Sequence, residues 1–176
     1  MKRGHGKEKI VELIDFIKSA PNAYLRTGVI VGHPGESEES YQELEDFIAS
    51  GVFDRVSIFT YFDEEGTPAY DSEFKNEQKV IDKRAKQLQK VFDKNVYPQK
   101  LSNYIDKTID IVIDGESDEH EYLLSAKALF WAPDIDGTIY INDSELETPL
   151  EYGTIYAAVI TEVVDNILLA RVVKQI

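Results

Sequence analysis

The sequence contains no cysteine among its 176 residues. This absence excludes disulfides, a cysteine nucleophile, a thiolate zinc site and any iron–sulfur cluster ligated from within the chain. The sequence also lacks a run of the roughly 18 to 20 consecutive apolar residues that a membrane helix needs, so no membrane partner is expected. Residues 1–9 carry charge without the apolar core of a signal peptide, and we therefore expect a cytoplasmic protein.

Histidine is scarce, and the spacing of His5, His33 and His120 does not suit a shared metal site. His120 lies in the acidic segment 116–121, which lacks the positional pattern of a calcium loop and is typical of a solvated hairpin tip. We therefore predict no metal ligand and no catalytic residue in this chain. His33 leaves two interpretations open, a contact to a substrate or cofactor and a plain turn residue.

Basic residues are few in the second half of the chain. Residues 99–176 contain 5 Lys and Arg against 15 Asp and Glu, whereas residues 1–98 contain 14 against 18. Such a segment repels phosphate backbones and attracts basic molecules, so a nucleic-acid partner is not expected. The acid indicates either recognition of a basic partner or solubility alone. The apolar content of 43% is ordinary for a folded protein.

The first half of the sequence predicts a strand–helix–strand unit. Residues 24–31 form a nearly continuous apolar run, typical of a parallel strand that is buried on both faces. Ser37 is a candidate N-cap for a helix that stops at Gly51, and a second strand follows at Arg55–Tyr61. The right-handed crossover rule makes the two strands parallel and adjacent or nearly so. The other predicted helices span residues 7–19 and 76–97.

The periodicity changes to two after Pro98, which is predicted to end the helix that bridges two domains, residues 1–98 and 99–176. Five short strands in the second domain favour a small closed barrel, OB-like or SH3-like, because closure removes exposed edges. The predicted strands are Thr108–Asp114, Glu121–Leu129, Thr138–Asn142, Thr154–Val163 and Ile167–Lys174. The turn-forming pairs between them are Asp114-Gly115, Asp136-Gly137, Tyr152-Gly153 and Asp165-Asn166.

The segment Gly28–Glu36 runs from a buried strand through a Gly/Pro turn into a helix N-terminus. Ligands of α/β folds lie beyond the carboxyl ends of the strands, although such a turn is also common as plain structure. The glycine spacing matches neither a P-loop nor a dinucleotide fingerprint. Phe59 and Tyr61, two residues apart on the next strand, point to one face and suit either a purine ring or the core.

Three segments together resemble the closing strands of the radical-SAM barrel in the methylthiotransferase family: Leu25–Glu36, Phe59–Tyr61 and Glu65–Ala69. The segment Ala132–Ile141 looks like the centre of the TRAM domain that follows that barrel. The resemblance covers essentially the whole chain. It implies an α/β fold in which a partial radical-SAM βα barrel segment precedes a small five-stranded all-β, OB-like TRAM barrel.

The family has two main branches, one that modifies a tRNA adenosine and one that modifies an aspartate of ribosomal small-subunit protein twelve. Leu25–Thr27 and Ala132–Gly137 are similar to the ribosomal-protein branch, whereas the tRNA branch usually has aspartate where Gly28 stands. The acidic second half agrees, because it suits a basic ribosomal protein. The resemblance implies an enzyme that methylthiolates the aspartate β-carbon. The alternatives are a tRNA adenosine methylthiotransferase and a non-catalytic acidic binding module.

The resemblance also implies two kinds of cofactor, S-adenosylmethionine and two four-iron four-sulfur clusters. The six cluster cysteines are expected upstream of Met1, in the rest of the same polypeptide, because this chain has none. The chain alone is therefore expected to be inactive. Its expected partners are the basic ribosomal protein and the rest of its own polypeptide, and its expected contribution is substrate docking and part of the cofactor pocket.

The site residues that the resemblance implies come from the two strands of the first domain. Ile30 and Gly32 would line the S-adenosylmethionine site, and Phe59 and Tyr61 would flank the adenine. Polar contacts would come from Arg26 and Thr27. Two departures lie at the mouth of this pocket: His33 stands where the family commonly has phenylalanine, and Tyr70 replaces a small residue.

Overall fold

A computed structural model describes residues 6–20, 23–117, 122–132 and 135–176. His5, His120 and part of the acidic segment 116–121 lie outside these ranges. The chain divides into two compact units, Met1–Phe92 and Asp93–Ile176. The division therefore falls six residues earlier than the boundary after Pro98 that the sequence predicted. Within the described ranges, no helix has the length and apolar character needed to cross a membrane.

The first unit contains the predicted strand–helix–strand arrangement. Two strands pair in parallel with Ile30 opposite Phe59, which confirms the expected pairing. The predicted N-cap is also confirmed, because the Ser37 hydroxyl oxygen accepts a hydrogen bond of 3.1 Å from the Ser40 amide. The elements of this unit are α1 (Lys7–Lys18), β1 (Arg26–Val31), α2 (Glu38–Ala49), β2 (Arg55–Thr60) and α3 (Gln78–Val91).

The prediction that β1 is buried on both faces is wrong. Burial alternates along the strand, since Val31 is fully buried whereas the neighbouring Ile30 remains 39% exposed. The cause is that α3 covers one face of the sheet: it packs against both strands and also contacts α2. Within the described residues, the opposite face, including Gly28, Ile30 and Phe59, lies open.

Helix α1 forms as the apolar spacing predicts, but its apolar side chains are mostly exposed. Ile14 is the buried residue of this helix, whereas Ile10, Leu13 and Phe16 are exposed. The periodicity therefore predicted the helix correctly, and the burial of its apolar face depends on neighbours that sequence periodicity cannot specify.

The helical segment that follows residue 76 does not end at Pro98, so that prediction is wrong. Helix α3 passes into a π-helical turn at Phe92–Val96, and a further helix, α4 (Tyr97–Ser102), carries the proline in its first turn. Proline is tolerated there because the first amides of a helix have no intrahelical partner. The change of helix type at Phe92 coincides with the division between the two units.

The second unit is a closed five-stranded barrel, which confirms that part of the predicted fold class. The strands follow one another around the barrel in the order β3-β4-β5-β7-β6; β5 and β7 pair in parallel and the other pairs are antiparallel. Aliphatic side chains such as Ile111, Ile139 and Leu168 fill the interior. The strands are β3 (Thr108–Glu116), β4 (Leu124–Ala128), β5 (Ile139–Ser144), β6 (Ile155–Val164) and β7 (Ile167–Gln175).

The predicted turns of the barrel differ in outcome. Asp165 and Asn166 both have positive φ, 49° and 65°, and connect β6 to β7 as a two-residue hairpin loop, as predicted. The turn predicted at Asp114-Gly115 is wrong, because β3 continues to Glu116 and this position is a register shift against β4. A glycine inside a strand marks a bulge as readily as a turn.

Candidate cofactor site

A cavity of about 970 Å³ lies at the carboxyl ends of β1 and β2 in the first unit. Small-molecule sites in α/β folds form at this edge of the sheet, and most have volumes of about 300 to 1,000 Å³. Apolar and aromatic side chains make up most of its wall. The lining residues are Ile30, His33, Pro34, Phe59, Thr60, Tyr61, Phe62, Glu64, Thr67, Pro68, Ala69 and Ser72.

The floor of the cavity is formed by neighbouring side chains on the open face of the sheet. Ile30 and Phe59 are directly opposite each other in the register of β1 and β2. The Phe59 ring also lies across Gly28, because a Cβ at that glycine would be 3.4 Å from the ring. An aromatic ring and an aliphatic chain are thereby exposed side by side, an arrangement suited to the face of a planar heterocycle.

Tyr61 and His33 bring the end of β2 and the turn after β1 together. Their ring centroids lie 5.4 Å apart in an edge-to-face arrangement, and His33 Nδ1 is 3.0 Å from the Pro34 carbonyl oxygen. His33 is therefore both a turn residue and part of the cavity wall. Both sequence interpretations of His33 are compatible with this position.

A charged pair ties down the loop that follows β2. Lys75 Nζ donates a hydrogen bond of 2.7 Å to Asp63 Oδ2, and this contact is the main reason that the pKa of the Asp63 carboxyl is lowered. Burial of the Tyr61 hydroxyl, and secondarily the neighbouring Asp63 carboxylate, raises the pKa of Tyr61. The Lys75 ammonium also lies 4.8 Å from the centre of the ring of Tyr70, the tyrosine that replaces the small residue common in the family.

Glu36 fixes the turn between β1 and α2. Its Oε2 accepts a hydrogen bond of 3.0 Å from the Gly32 amide, and its Oε1 accepts one of 2.7 Å from Arg84 Nη1. Arg84 is only 7% exposed, and its Nη2 donates to Glu38 at 2.7 Å. One buried guanidinium thus holds the turn that carries His33 to the start of α2.

Gly32 is required at this turn for two reasons. Its φ of +86° lies in the left-handed region that favours glycine, and a Cβ here would come within 2.5 to 2.8 Å of the Ile81 side chain. The close approach lets α3 pack directly beneath the end of β1. Gly32 does not line the cavity of about 970 Å³; it lines a second cavity of about 200 Å³, to which Tyr61 also contributes.

The structure brings three of the six predicted site residues, Ile30, Phe59 and Tyr61, to the large cavity. Arg26 lies at the opposite end of β1, where its guanidinium is 5.5 Å from the centre of the Tyr24 ring. Thr27 precedes the exposed Gly28 on the strand and lies on the less exposed side of the sheet. Neither Arg26 nor Thr27 lines this cavity.

Sequence reasoning missed Glu36 and Arg84, although a signal was present. Arg84 occupies the same helical stripe as the buried residues Ile81, Leu88 and Val91 of α3. An arginine at the spacing of core residues predicts a buried ion pair, because a guanidinium is rarely buried without partners. Its partner could not be identified from sequence, since Glu36 is far away along the chain.

The second unit belongs to a known class of domain. Its residues 105–173, which include all five strands of the barrel up to Val173, match the family model of the TRAM domain. Nearly the whole chain is similar to a set of named enzymes. It is 52% identical over 170 residues to the ribosomal protein uS12 methylthiotransferase RimO of Sulfurimonas denitrificans, 48% identical to that of a Sulfurovum species and 43% identical to that of Campylobacter jejuni.

These similarities cover 97%, 99% and 100% of this chain but only 38% to 39% of the relatives. The chain therefore spans about two fifths of the length of the curated relatives it matches, and the matched part is their C-terminal part. The predicted resemblance to methylthiotransferases of the ribosomal-protein branch, with a TRAM domain, is confirmed. The relatives are transferases by name.

Proposed function

We propose that this chain is the C-terminal part of an enzyme that methylthiolates the β-carbon of an aspartate in ribosomal small-subunit protein twelve. The observation that carries the proposal is the similarity to uS12 methylthiotransferases along nearly the whole chain, through both units. In this proposal the first unit is the closing segment of a radical-SAM barrel, and the second unit docks the substrate protein.

The cavity at the strand ends fits the adenosyl part of S-adenosylmethionine. Ile30, Phe59 and Tyr61 offer apolar and aromatic surface for a purine, while Thr67 and Ser72 add hydroxyl groups at the wall. When bound, S-adenosylmethionine supplies one-electron chemistry and the methyl group of the product. The iron–sulfur clusters have no cysteine ligands in this chain and are assigned to the rest of the polypeptide.

The residues of this chain act in the proposal by binding and positioning. Ile30 and Phe59 exclude water from one face of the pocket, because both are apolar and adjoin on the open side of the sheet. Glu36 and Arg84 hold the turn with His33 at the pocket mouth. No acid–base step is assigned to these residues.

The second unit suits a basic protein as its partner. Residues 99–176 carry 15 acidic against 5 basic residues, so their field attracts a lysine- and arginine-rich protein and repels a phosphate backbone. This preference favours the ribosomal-protein substrate over tRNA.

Calorimetry tests the docking role. The chain is titrated with purified small-subunit protein twelve and, separately, with bulk tRNA, each at two salt concentrations. The proposal predicts binding to the ribosomal protein that weakens as salt rises, and much weaker binding to tRNA. Preferential, strongly salt-dependent tRNA binding would instead support the tRNA adenosine branch. Binding to neither would remove the docking role from the proposal.

A further inference from the structure

One end of the barrel exposes a set of apolar side chains around an aromatic stack. The rings of Tyr104 and Phe130 are nearly parallel, at 20°, with centroids 5.9 Å apart, and both side chains are half-buried. Ile105 follows Tyr104, Leu129 precedes Phe130, and both aliphatic chains are exposed. We call these four residues, Tyr104, Ile105, Leu129 and Phe130, the barrel-end patch.

The barrel-end patch rests on ordered structure. The Phe130 ring also meets Trp131 edge-on at 6.3 Å, and Trp131 is buried. The Leu129 amide donates a hydrogen bond of 3.0 Å to the Asp110 carbonyl oxygen of β3. Side chains held by a packed core lose little conformational entropy on binding, so the patch is preorganised for a partner.

Two carboxylates border the patch, and the exposed Lys107 follows the first of them. Asp106 follows Ile105 directly, and Asp110 lies beside Leu129 through the backbone hydrogen bond. Both side chains are exposed, and neither makes an ion pair or a side-chain hydrogen bond with any residue in the described ranges. Asp106 is held by its amide, which donates a hydrogen bond of 2.9 Å to the Ile160 carbonyl oxygen, and its φ of 63° fixes the local chain direction.

An apolar centre with a charged rim is the usual anatomy of a protein interface, in which buried aromatic and aliphatic anchors contribute most of the binding energy. Aromatic rings also stack on the bases of single-stranded nucleic acid. The unpaired carboxylates Asp106 and Asp110 disfavour that ligand because they would face its phosphates, and they favour a positively charged rim on the partner.

We propose that the barrel-end patch docks a basic protein segment, in which an apolar or aromatic side chain contacts Leu129 and Phe130 while flanking lysine or arginine residues pair with Asp106 and Asp110. This inference rests on the proposed function, which it deepens by naming the docking surface. The occupant that it implies is the basic ribosomal protein substrate.

The test compares variants of the 176-residue chain in binding to purified small-subunit protein twelve. Leu129→Ser removes an exposed anchor, and Asp106→Asn with Asp110→Asn removes the rim charge without changing the shape. Tyr152→Ser is the matched control, since Tyr152 is exposed beside Glu116 at the far end of β3. All these side chains lie at the surface, and equal melting temperatures of the variants verify that folding is intact.

We expect Leu129→Ser to raise the dissociation constant about tenfold or more, as for an interface anchor, and Tyr152→Ser to change it less than about threefold. The double asparagine variant should weaken binding more at low salt than at high salt. Unchanged affinity in Leu129→Ser, with the wild-type chain still binding, overturns the patch and leaves the proposed function standing. If the wild-type chain does not bind protein twelve, or the patch variants lose tRNA binding instead, both the inference and the docking role are wrong.

Discussion

Gly28 lies in β1 and Gly32 in the turn that follows it, and a side chain at the two positions would meet different surroundings. Gly32 has positive φ and lies against Ile81, whereas Gly28 is in extended strand with only the edge of Phe59 nearby. Gly32→Ala is expected to lower the free energy of unfolding by about 1 to 3 kcal/mol through strain and overpacking. Gly28→Ala should be neutral or stabilise by up to about 1 kcal/mol, because glycine is unfavourable in strands. Urea denaturation measures both, and equal effects would contradict the proposed packing of α3 beneath the turn.

Arg84 provides a test of the buried ion pair. Arg84→Met leaves the Glu36 carboxylate, whose side chain is 10% exposed, without its cationic partner. The expected loss in the free energy of unfolding is about 3 to 5 kcal/mol, the usual result of breaking a buried pair from one side.

The matched control is Lys7→Met, which breaks the ion pair of Lys7 with Glu43. This pair has a distance of 2.8 Å, close to the 2.7 Å between Arg84 and Glu36, but both of its side chains are largely exposed. Its expected effect is below about 1 kcal/mol, because water and salt screen such a pair. Chemical denaturation of the two variants at one pH gives the comparison. Similar losses in both would show that the Arg84 network adds nothing beyond a surface contact.

At the residue scale, the sequence predicted side chains in or next to the strands that line the cavity. It did not predict the ion pair that holds the turn after β1. Ile30, Phe59 and Tyr61 follow from strand alternation together with the family resemblance, and the cavity includes all three. Arg26 and Thr27 belong to the same segment, but neither lines the cavity. Arg26 shares the open face but lies at the other end of the strand, and Thr27 lies on the opposite face. Arg84 and Glu36 meet only in the folded chain.

At the scale of elements, the loop between β6 and β7 is the clearest local determinant. Asp165 and Asn166 both adopt positive φ, which asparagine and glycine tolerate and β-branched residues do not. Asn166→Val is expected to destabilise the barrel by about 1 to 2 kcal/mol, whereas Asn166→Gly should be neutral or stabilising. Thermal unfolding measures the difference. A valine variant as stable as the wild type would mean that the hairpin does not depend on this loop geometry.

The elements that sequence predicted well are those with a strong local signal. The N-cap Ser37 and the period-two strands of the barrel illustrate this, because capping and alternation are local properties. The errors at Pro98 and at Asp114-Gly115 have a common cause. Each residue type is compatible with two environments, a boundary or an internal irregularity, and tertiary packing decides between them.

At the scale of the whole molecule, the open face and edges of the β1–β2 sheet matter most. In the part of the chain that the structure describes, this sheet has two strands and therefore two outer edges, and Ile30 and Phe59 are exposed on one face. Such edges favour pairing with another chain. We expect the 176-residue chain to form dimers or larger species as its concentration rises, as measured by light scattering. A monodisperse monomer over the whole concentration range would contradict this expectation.

The sequence established one part of the fold class from local patterns and the other part only through the family resemblance. The closed barrel follows from five short alternating strands and turn pairs, and the structure contains it. The assignment of the first unit to a radical-SAM barrel depends on the family resemblance, because two parallel strands with helices on one face occur in many α/β folds.

In the proposed function, this chain is part of an enzyme that modifies a ribosomal protein. The most direct measurement is mass spectrometry of protein twelve and of tRNA nucleosides from cells with and without the gene that encodes this chain. The account predicts a methylthio group on one aspartate of protein twelve that is lost when the gene is deleted, with tRNA nucleosides unchanged. Loss of methylthiolated adenosine from tRNA, with protein twelve unaltered, would contradict it.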